Sequence, residues 1–249
     1  MKSIRKERLD VLLVERGLAS SREKAQALIL AGVVLSDDRR LDKPGTRIDH
    51  NLPLRIKGKE HPYVSRGGLK LAAAFEHFQD FSAKEAVAID IGASTGGFTD
   101  VLLREGAKRV YAVDVGHGQL DWALRNDERV VVLEKTNARH LTNEIIPEVP
   151  DIIVCDASFI SLRKVLPASM AMARSGAWLA ALIKPQFEVG RGQVGKGGVV
   201  RDPALHQAVQ DEISHWLDQE MGWQVKGIVP SPIIGPEGNK EFVIVAVSP

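Results

Sequence analysis

The chain has 249 residues, of which 44% are hydrophobic and 26% charged, a balance typical of a globular protein with a buried core. Its single cysteine excludes an internal disulfide framework and suits a reducing compartment, so we expect a cytoplasmic protein. No run approaches the roughly 18 apolar residues of a membrane span. The charged N-terminus has no apolar segment of the kind found in signal peptides.

Charge is distributed unevenly along the chain. The net charge is only +1, but residues 1–70 carry 16 Lys and Arg against 9 Asp and Glu, a net of +7. The remaining residues carry 17 against 23, a net of −6. A basic segment joined to an acidic body predicts a small domain that binds a polyanion such as nucleic acid. A solvent-exposed surface that merely has more basic than acidic residues would give the same charge imbalance.

The first 60 residues predict two short helices followed by small strands. Leucines at helical spacing precede Gly17, where a first helix can end. Ser20 and Glu23 have the spacing of a capping box for a second helix, which is expected to end at Gly32. Short strand patterns follow, so residues 1–60 are predicted to form a small α+β domain.

This N-terminal segment resembles the small RNA-binding module shared by a ribosomal protein of the small subunit and by pseudouridine synthases. The matching residues are Arg8-Leu9-Asp10, Gly17, Ser21-Arg22, Ala25, Ile29, Gly32 and Val34. The resemblance implies that the module binds RNA, through cations that include Arg8, Arg22 and Lys24.

Residues 61–68 are predicted to be a linker, because Pro62 and the pair Gly67-Gly68 interrupt regular structure. Arg66 in this linker is a further candidate for RNA contact. From residue 69 to 249, apolar runs of strand length alternate with helical stretches: AVAIDI, RVYAVDV, RVVVL, DIIVCD and GAWLAALIK. This alternation predicts a doubly wound α/β domain with a parallel sheet covered on both faces. The final runs, WQVKGIV and EFVIVAV, have no helix between them, so the last strand is predicted to be antiparallel.

The first strand of this domain runs into a glycine-rich turn, DIGASTGGFTD. A nicotinamide site would require glycine where Ser94 stands. An acid two residues before the first glycine, Asp90, suits a ligand that carries an ammonium group. A second acid, Asp114, follows the next strand, where acids typically bind ribose hydroxyls. An ordinary tight turn between strand and helix is the alternative interpretation.

The combination resembles the S-adenosylmethionine site of Rossmann-like methyltransferases. The resemblance implies that Asp90 faces the methionine amino group, Asp114 the ribose and Asn137 the adenine edge, although Asn137 could equally be a turn residue. The residues expected to form this site are Asp90, Gly92, Ser94, Gly96, Gly97, Asp114 and Asn137.

The residues after the fourth strand of the domain restrict the methyl acceptor. Enzymes that methylate base amino groups carry D/N-P-P-Y/F at this point, whereas this chain has DASF from Asp156 onward. Carbon-directed enzymes use a cysteine nucleophile, but Cys155 lies within an apolar strand and is predicted to be a small core residue. A hydroxyl acceptor, which needs a base instead, is therefore favoured.

Four charged residues that are distant in sequence are predicted to meet at one edge of the sheet. Asp156 and Lys184 end the fourth and fifth strands, and α/β enzymes place their sites at such ends. Glu241 begins the antiparallel last strand, so it lies at the same edge. Lys70 begins a helix that runs opposite to the first strand, so it also reaches that edge.

Lys70, Asp156, Lys184 and Glu241 resemble the K-D-K-E tetrad of FtsJ-like ribose 2′-O-methyltransferases. Together with the RNA module, five strings resemble the TlyA family, which is also known as hemolysin A: YVSRGGLKL, DIGASTGGFTD, DVGHGQLDW, CDASFISL and IKPQFEVGR. The resemblance implies methylation of a cytidine ribose in ribosomal RNA. It also implies S-adenosylmethionine as cofactor, ribosomal RNA or ribosomal subunits as partner, Lys184 as the base, and no metal or membrane.

Two alternatives belong to other functional classes. A secreted or membrane-active cytolysin would need an insertion segment, which the sequence does not display. A non-catalytic RNA-binding protein with a relic methyltransferase body would not need the four charged residues.

A second glycine-rich stretch spans residues 190–198, and its part from Gly190 to Lys196 reads G-x-x-x-x-G-K. It is predicted not to be a P-loop, because Gly197 stands where Ser or Thr would hold magnesium. Its glycines predict a mobile loop, and Arg191, Lys196 and Arg201 suit contact with an RNA backbone.

Overall fold

A computed structural model describes residues 6–19, 21–37, 39–57, 61–235 and 238–249. The chain divides into two compact units, Met1–Pro62 and Tyr63–Pro249. Each unit contains hydrophobic clusters of its own. None of the helices in the described ranges has the length and apolar character needed to cross a membrane.

The described part of the first unit contains two helices and five short strands. They are β1 (Lys6–Arg8), α1 (Leu9–Glu15), α2 (Arg22–Leu30), β2 (Val34–Ser36), β3 (Arg39–Arg40), β4 (Arg47–Asp49) and β5 (Arg55–Ile56). β1 pairs with β4, and β2 lies between β3 and β5 in a separate sheet, with all pairs antiparallel. Leu9, Leu12 and Ile29 belong to one buried cluster. The predicted small α+β domain is confirmed.

The helix ends of the first unit follow local rules. Gly17 and Gly32 both have φ of +69°, the left-handed conformation that commonly follows a helix. At the start of α2, the Oγ of Ser21 accepts a hydrogen bond from the backbone N of Lys24 at 3.2 Å. The helix cap is therefore Ser21 and not the predicted Ser20, which lies outside the described residues.

The second unit is built on one seven-stranded sheet. Its strands are β6 (Val87–Ile91), β7 (Arg109–Val113), β8 (Val130–Leu133), β9 (Ile152–Cys155), β10 (Trp178–Ile183), β11 (Gln224–Pro230) and β12 (Phe242–Val247). The spatial order is β11-β12-β10-β9-β6-β7-β8. β6 to β10 pair in parallel, and β12 is antiparallel to both neighbours. The predicted Rossmann-like sheet is confirmed, but its antiparallel last strand lies inside the sheet, because β11 forms the edge.

Helices cover both faces of this sheet. They are α3 (Gly68–His77), α4 (Gly97–Arg104), α5 (Trp122–Arg125), α6 (Leu162–Val165), α7 (Pro167–Met170), α8 (Pro185–Glu188) and α9 (Pro203–His215). Adjacent residues of one strand enter different clusters, with Ile153 on one face and Val154 on the other. Burial on both faces explains why the strands read as continuous apolar runs rather than as alternating ones.

The order of the strands reverses beside β6. The chain builds β6, β7 and β8 in one direction and then returns to add β9 and β10 on the other side of β6. The loops that leave the carboxyl ends of β6 and β9 therefore separate, and a crevice forms between them.

The segment that begins at Tyr63 belongs to the second unit. The backbone N of Val64 donates to the Asp100 carboxylate at 2.8 Å. The guanidinium of Arg104 lies 5.9 Å from the centre of the Tyr63 ring. A Cβ on Gly68 would lie only 2.7 Å from that ring, so glycine is needed for the close approach. Much of the segment predicted to be a linker is thus packed structure.

We expect the fragment 63–249 to fold alone, because the residues of its two hydrophobic clusters all come from position 63 onward. The fragment 69–249 should unfold at a lower temperature, because it lacks Tyr63 and the hydrogen bond to Asp100. Thermal melts followed by circular dichroism compare the two. Equal midpoints would contradict the assignment of Tyr63 to this unit.

Candidate active site

The four charged residues predicted to converge lie at one edge of the sheet. Asp156 directly follows β9, and Lys184 directly follows β10. Glu241 directly precedes the antiparallel β12, and Lys70 is in the first turn of α3. We call Lys70, Asp156, Lys184 and Glu241 the charged tetrad.

The charged tetrad forms a continuous chain of ion pairs. The Nζ of Lys70 lies 2.7 Å from Glu241 Oε2 and 3.2 Å from Asp156 Oδ2. The other carboxylate oxygen of Asp156, Oδ1, lies 2.6 Å from the Nζ of Lys184. Asp156 therefore bridges the two lysines and keeps their positive charges at fixed positions.

Burial makes this network sensitive to the charge of each member. The exposed fraction of the side chain is 8% for Lys70, 7% for Lys184 and 1% for Glu241. Burial alone would lower the pKa of Lys70, but the carboxylates of Asp156 and Glu241 outweigh it and raise that pKa. Lys70 is thus a permanent cation at neutral pH.

Lys184 is held by a residue that the sequence did not single out. Its Nζ donates to Ser158 Oγ at 2.9 Å and to the backbone O of Asp156 at 3.3 Å. The loop after β9 therefore supplies three oxygens to this amine, counting the carboxylate. The signal available in the sequence was only the position of Ser158, two residues after a predicted site residue.

A cavity of about 530 Å³ opens onto the charged tetrad, all four members of which line it. We call it the tetrad cavity. Its other walls include Gly92, Ser94 and Gly97 of the predicted cofactor turn. The buried Oε1 of Glu241 has no hydrogen-bond partner among the described residues and packs against Gly235, where a Cβ would lie 2.4 Å from it.

A second cavity of about 500 Å³ adjoins the first and is lined by Asp114 and Asn137. We call it the Asp114 cavity. The two cavities share Gly92, Ser94 and Asp156 among their lining residues. One elongated ligand can therefore occupy both.

Asp114 fixes the two loops that border its cavity. Its Oδ2 accepts from the backbone N of Ser94 at 2.8 Å, and its Oδ1 accepts from the backbone N of Gly116 at 2.7 Å. Ser94 has φ of +48°, a strained conformation for a residue with a side chain. The carboxylate thus holds the turn in the shape that leaves the cavity open.

The glycines of the turn are needed for close packing. Gly92 has φ of +79°, and a Cβ there would lie 3.1 Å from the backbone of Ala157. Gly96 does not line the two cavities, but a Cβ there would lie 2.2 Å from Leu124. Gly92 therefore allows the loops after β6 and β9 to approach, and Gly96 allows the turn to pack on α5.

Asp90 lies beneath the turn and not in the cavity, where the sequence had placed it. Its side chain is fully buried, and its Oδ2 accepts from the hydroxyl of Thr99 at 2.6 Å. Neither the tetrad cavity nor the Asp114 cavity is lined by it. Burial raises the pKa of Asp90 to about 7, despite the opposing hydrogen bond from Thr99. The observed position of Asp90 differs from the predicted one because the strand does not end at Asp90 but continues to Ile91.

Asn137 acts as a turn residue, one of the two roles that the sequence left open. Its Oδ1 accepts from the backbone N of Arg139 at 3.1 Å and so caps a short 3₁₀ helix, Ala138–His140. It also lines the Asp114 cavity.

The second glycine-rich stretch contributes Val194 and Gly198 to the wall of the tetrad cavity. Buried Asn239 ties it down, since its Nδ2 donates to Gly198 O at 3.0 Å and its Oδ1 accepts from Val200 N at 3.1 Å. The stretch follows α8 rather than a strand, unlike a P-loop.

The predicted RNA-contacting cations divide between the units. Lys196 and Arg201 are exposed at the second glycine-rich stretch, and Arg66 is exposed between two residues that line the tetrad cavity. Arg191 begins a 3₁₀ helix, and its side chain is not among the described ones. Three cations lie in the first unit, namely Arg8, Arg22 and Lys24.

An aromatic pair beside the charged tetrad was not anticipated. Phe159 has φ of +65°, is 90% exposed and lines both cavities. Its ring lies 5.0 Å from that of Phe187 in a tilted arrangement. A bulky residue in a left-handed conformation marks a site where backbone strain is retained.

Family models match most of the chain. Residues 63–247 match the FtsJ-like methyltransferase model, and residues 7–52 match the S4 domain model.

Relatives match both units together. A candidate rRNA methyltransferase of Bacillus subtilis, YqxC, is 53% identical over 96% of this chain and 85% of that protein. The 16S/23S rRNA (cytidine-2′-O)-methyltransferase TlyA of Mycobacterium tuberculosis is 49% identical over 96% of this chain and 89% of that protein. A solved candidate hemolysin of Streptococcus thermophilus is 44% identical, covers 99% of this chain and 90% of that chain, and has a TM-score of 0.75.

The Asp90→Asn variant should be more stable than wild type, and the gain should grow with pH. Because the pKa of Asp90 is raised by folding to about 7, stability is lost as pH rises from about 4 to about 7. Unfolding midpoints of the ligand-free protein at about pH 4 and about pH 8 measure this.

The exposed carboxyl of Asp80 supplies the control. The gain for Asp90→Asn should change more between the two pH values than the effect of Asp80→Asn does. A gain for Asp90→Asn that does not depend on pH would refute the raised pKa.

Proposed function

Because this chain belongs to the TlyA family of FtsJ-like methyltransferases that carry an S4 domain, we propose that it methylates the ribose 2′-hydroxyl of a cytidine in ribosomal RNA, using S-adenosylmethionine. The observation that carries this proposal is the buried chain of ion pairs in the tetrad cavity, next to the Asp114 cavity. A methyl acceptor and a methyl donor need such adjoining spaces.

The residues present fit S-adenosylmethionine. Asp114 lines its cavity and has lone pairs left to accept from ribose hydroxyls, while Asn137 lies in the same wall. Gly92 and Ser94 line both cavities, where a ligand can pass from one to the other. When bound, S-adenosylmethionine supplies a methyl group on a positively charged sulfur, which is a good leaving group.

Asp90 acts through the turn in this proposal. Its hydrogen bond to Thr99 joins β6 to α4 and so supports the glycine turn from below. The carboxyl is therefore a positioning group for the cofactor loop.

Lys184 is the proposed base. A lysine must be neutral to take a proton, and the assignment of this role to Lys184 follows the resemblance of the charged tetrad to that of FtsJ-like methyltransferases. The neutral amine would take the proton of the 2′-hydroxyl. Ser158 and Asp156 hold the amine in one orientation throughout.

Positioning accounts for most of the expected rate. Asp156 fixes both lysines, and Glu241 holds Lys70 from a second side. Well-oriented reactions gain up to about 7–11 kcal/mol from alignment alone. Because lysines supply both the base and the fixed positive charge, the proposed mechanism uses no metal ion.

The S4 domain is the proposed docking module for ribosomal RNA. The first 70 residues have an excess of seven positive charges, which attracts a phosphate backbone. Arg8, Arg22 and Lys24 are the proposed contacts there. In the second unit they are Arg66, Arg191, Lys196 and Arg201, and the last three lie on the loop that borders the tetrad cavity. The charged tetrad and the match to FtsJ-like methyltransferases favour this function over the membrane-active alternative.

Mapping of ribose methylation on ribosomal RNA tests the proposal. RNA from cells with the gene should carry a 2′-O-methylcytidine that is absent from cells without it. A plasmid copy of the wild-type gene should restore the mark, and a Lys184→Ala copy should not. Identical methylation maps with and without the gene would overturn the proposed function.

Lys184→Ala should abolish methyl transfer and leave affinity for S-adenosylmethionine nearly unchanged, because the lysine acts on the proton in the transition state. Lys184→Arg should fail equally, since guanidinium remains protonated. Single-turnover assays and calorimetry measure the two properties. The exposed Lys164 provides a control, and Lys164→Ala should behave as wild type. Turnover by Lys184→Ala within a few-fold of wild type would exclude Lys184 as the base.

Asp114→Ala should weaken S-adenosylmethionine binding by about 1.5–3 kcal/mol, because a charge-assisted hydrogen bond to the ribose is lost. Calorimetry of this variant, beside a control at the exposed Glu128 (Glu128→Ala), measures the loss. Equal affinities for both variants would remove Asp114 from the cofactor site.

A further inference from the structure

The first unit contains a fully buried carboxylate, that of Asp10, near the start of α1. Its Oδ1 accepts from Arg8 Nε and from the backbone N of Val11, both at 3.0 Å. Its Oδ2 accepts from Arg8 Nη2 at 2.9 Å, from Arg22 Nε at 3.1 Å and from Gln26 Nε2 at 3.0 Å. Five donors thus converge on one side chain with no exposed surface.

The hydrogen bond from Arg8, together with those from Gln26 and Arg22, holds the pKa of Asp10 well below its usual range despite burial. Asp10 is therefore charged at every pH at which the protein is used. A charged carboxylate with all its acceptor positions filled can adopt only one orientation.

Arg8 and Arg22 differ from Asp10 in exposure. The side chain of Arg8 is 39% exposed and that of Arg22 is 55% exposed. Arg8 engages Asp10 through Nε and Nη2, and Arg22 engages it through Nε alone. A guanidinium has five N–H donors, so both arginines keep donors that are not directed at Asp10.

Stability alone explains this arrangement poorly. A buried ion pair adds little net stability, because desolvation opposes the attraction between the charges. The side chains of Asp10, Arg8 and Arg22 carry a net charge of +1 on a fixed scaffold, with Glu7 and Glu23 close to the two arginines. Two guanidinium groups held in fixed orientations bind the oxygens of a phosphate better than freely rotating side chains do, because their orientation is set before binding.

We propose that Asp10 is a positioning residue, which holds Arg8 and Arg22 as a preformed pair that grips a phosphate of the substrate RNA. This inference rests on the proposed function only in that the RNA is ribosomal. The site lies entirely in the first unit and takes no part in methyl transfer.

The sign of one mutational effect separates positioning from simple electrostatics. Asp10→Asn removes a negative charge from an RNA-binding module, so electrostatics alone predicts tighter binding. Positioning predicts the opposite, because a neutral amide holds the two guanidiniums weakly and they lose their fixed orientation. The control, Asp42→Asn, removes the same charge at an exposed site of the same unit.

The full-length protein is titrated with ribosomal subunits from cells that lack the gene, over a range of salt concentrations. We expect Asp10→Asn to bind about tenfold more weakly, and the slope of log K against log salt to fall by about one phosphate contact. Asp42→Asn should bind as tightly as wild type or more tightly. Binding by Asp10→Asn as tight as that of the control overturns the proposal.

A second variant keeps the test decisive if Asp10→Asn unfolds the first unit. Arg22→Lys retains the charge, and its half-exposed site tolerates the change, but the compact ammonium of lysine lacks the planar fork of N–H groups by which a guanidinium can bind Asp10 on one side and a phosphate on another. This variant should bind ribosomal subunits more weakly although its thermal midpoint is unchanged. Unaltered affinity for the subunits would also refute the proposal.

Affinity for S-adenosylmethionine should stay at the wild-type value in all variants. Refutation of the proposed role of Asp10 is therefore distinct from refutation of the proposed methyl transfer.

Discussion

The second unit depends on one shared carboxylate, that of Asp156, which bridges two buried lysines. One buried charge without a partner of opposite sign would destabilise the fold. If either lysine were absent, a carboxylate of the network would lose an ion-pair partner. The network of Lys70, Asp156, Lys184 and Glu241 is possible because four separate elements deliver their ends to one edge of the sheet. Parallel β9 and β10 bring their carboxyl ends there, while the antiparallel β12 brings its amino end.

Two buried aspartates and one partly buried aspartate show how surroundings assign a role to the same side chain. Asp10 is surrounded by arginine and amide donors and stays charged. Asp90 has one hydroxyl partner and titrates near neutrality, so it serves as a support rather than as a fixed charge. Asp156 binds two lysines, which makes it the centre of the proposed catalytic network. The number and charge of the donors separate these roles.

Two of the five non-glycine residues with positive φ in the described ranges border the two cavities. Ser94 and Phe159 both have positive φ, and both line the tetrad cavity and the Asp114 cavity. Asp114 restrains the turn at Ser94 through a hydrogen bond. Buried Asn239 joins the second glycine-rich stretch to the segment that precedes Glu241, so the two walls of the tetrad cavity are tied together. Such restraints fix the site before a ligand arrives.

The sequence by itself determined the order of strands and helices, the small N-terminal domain and the four charged strand or helix ends. These follow from apolar periodicity and turn residues, which are local in the chain. Together with the rule that parallel strands end at one edge, they were enough to bring Lys70, Asp156, Lys184 and Glu241 into one predicted site.

Only the tertiary structure decided the depth of Asp90, the contact of Ser158 with Lys184 and the interior position of β12. It also decided that Tyr63 packs on the second unit and that Asp10 gathers two arginines. Each of these contacts depends on the distance between segments that are far apart in the chain. Residue type and spacing do not determine such distances, because the packing of the whole folded chain sets them.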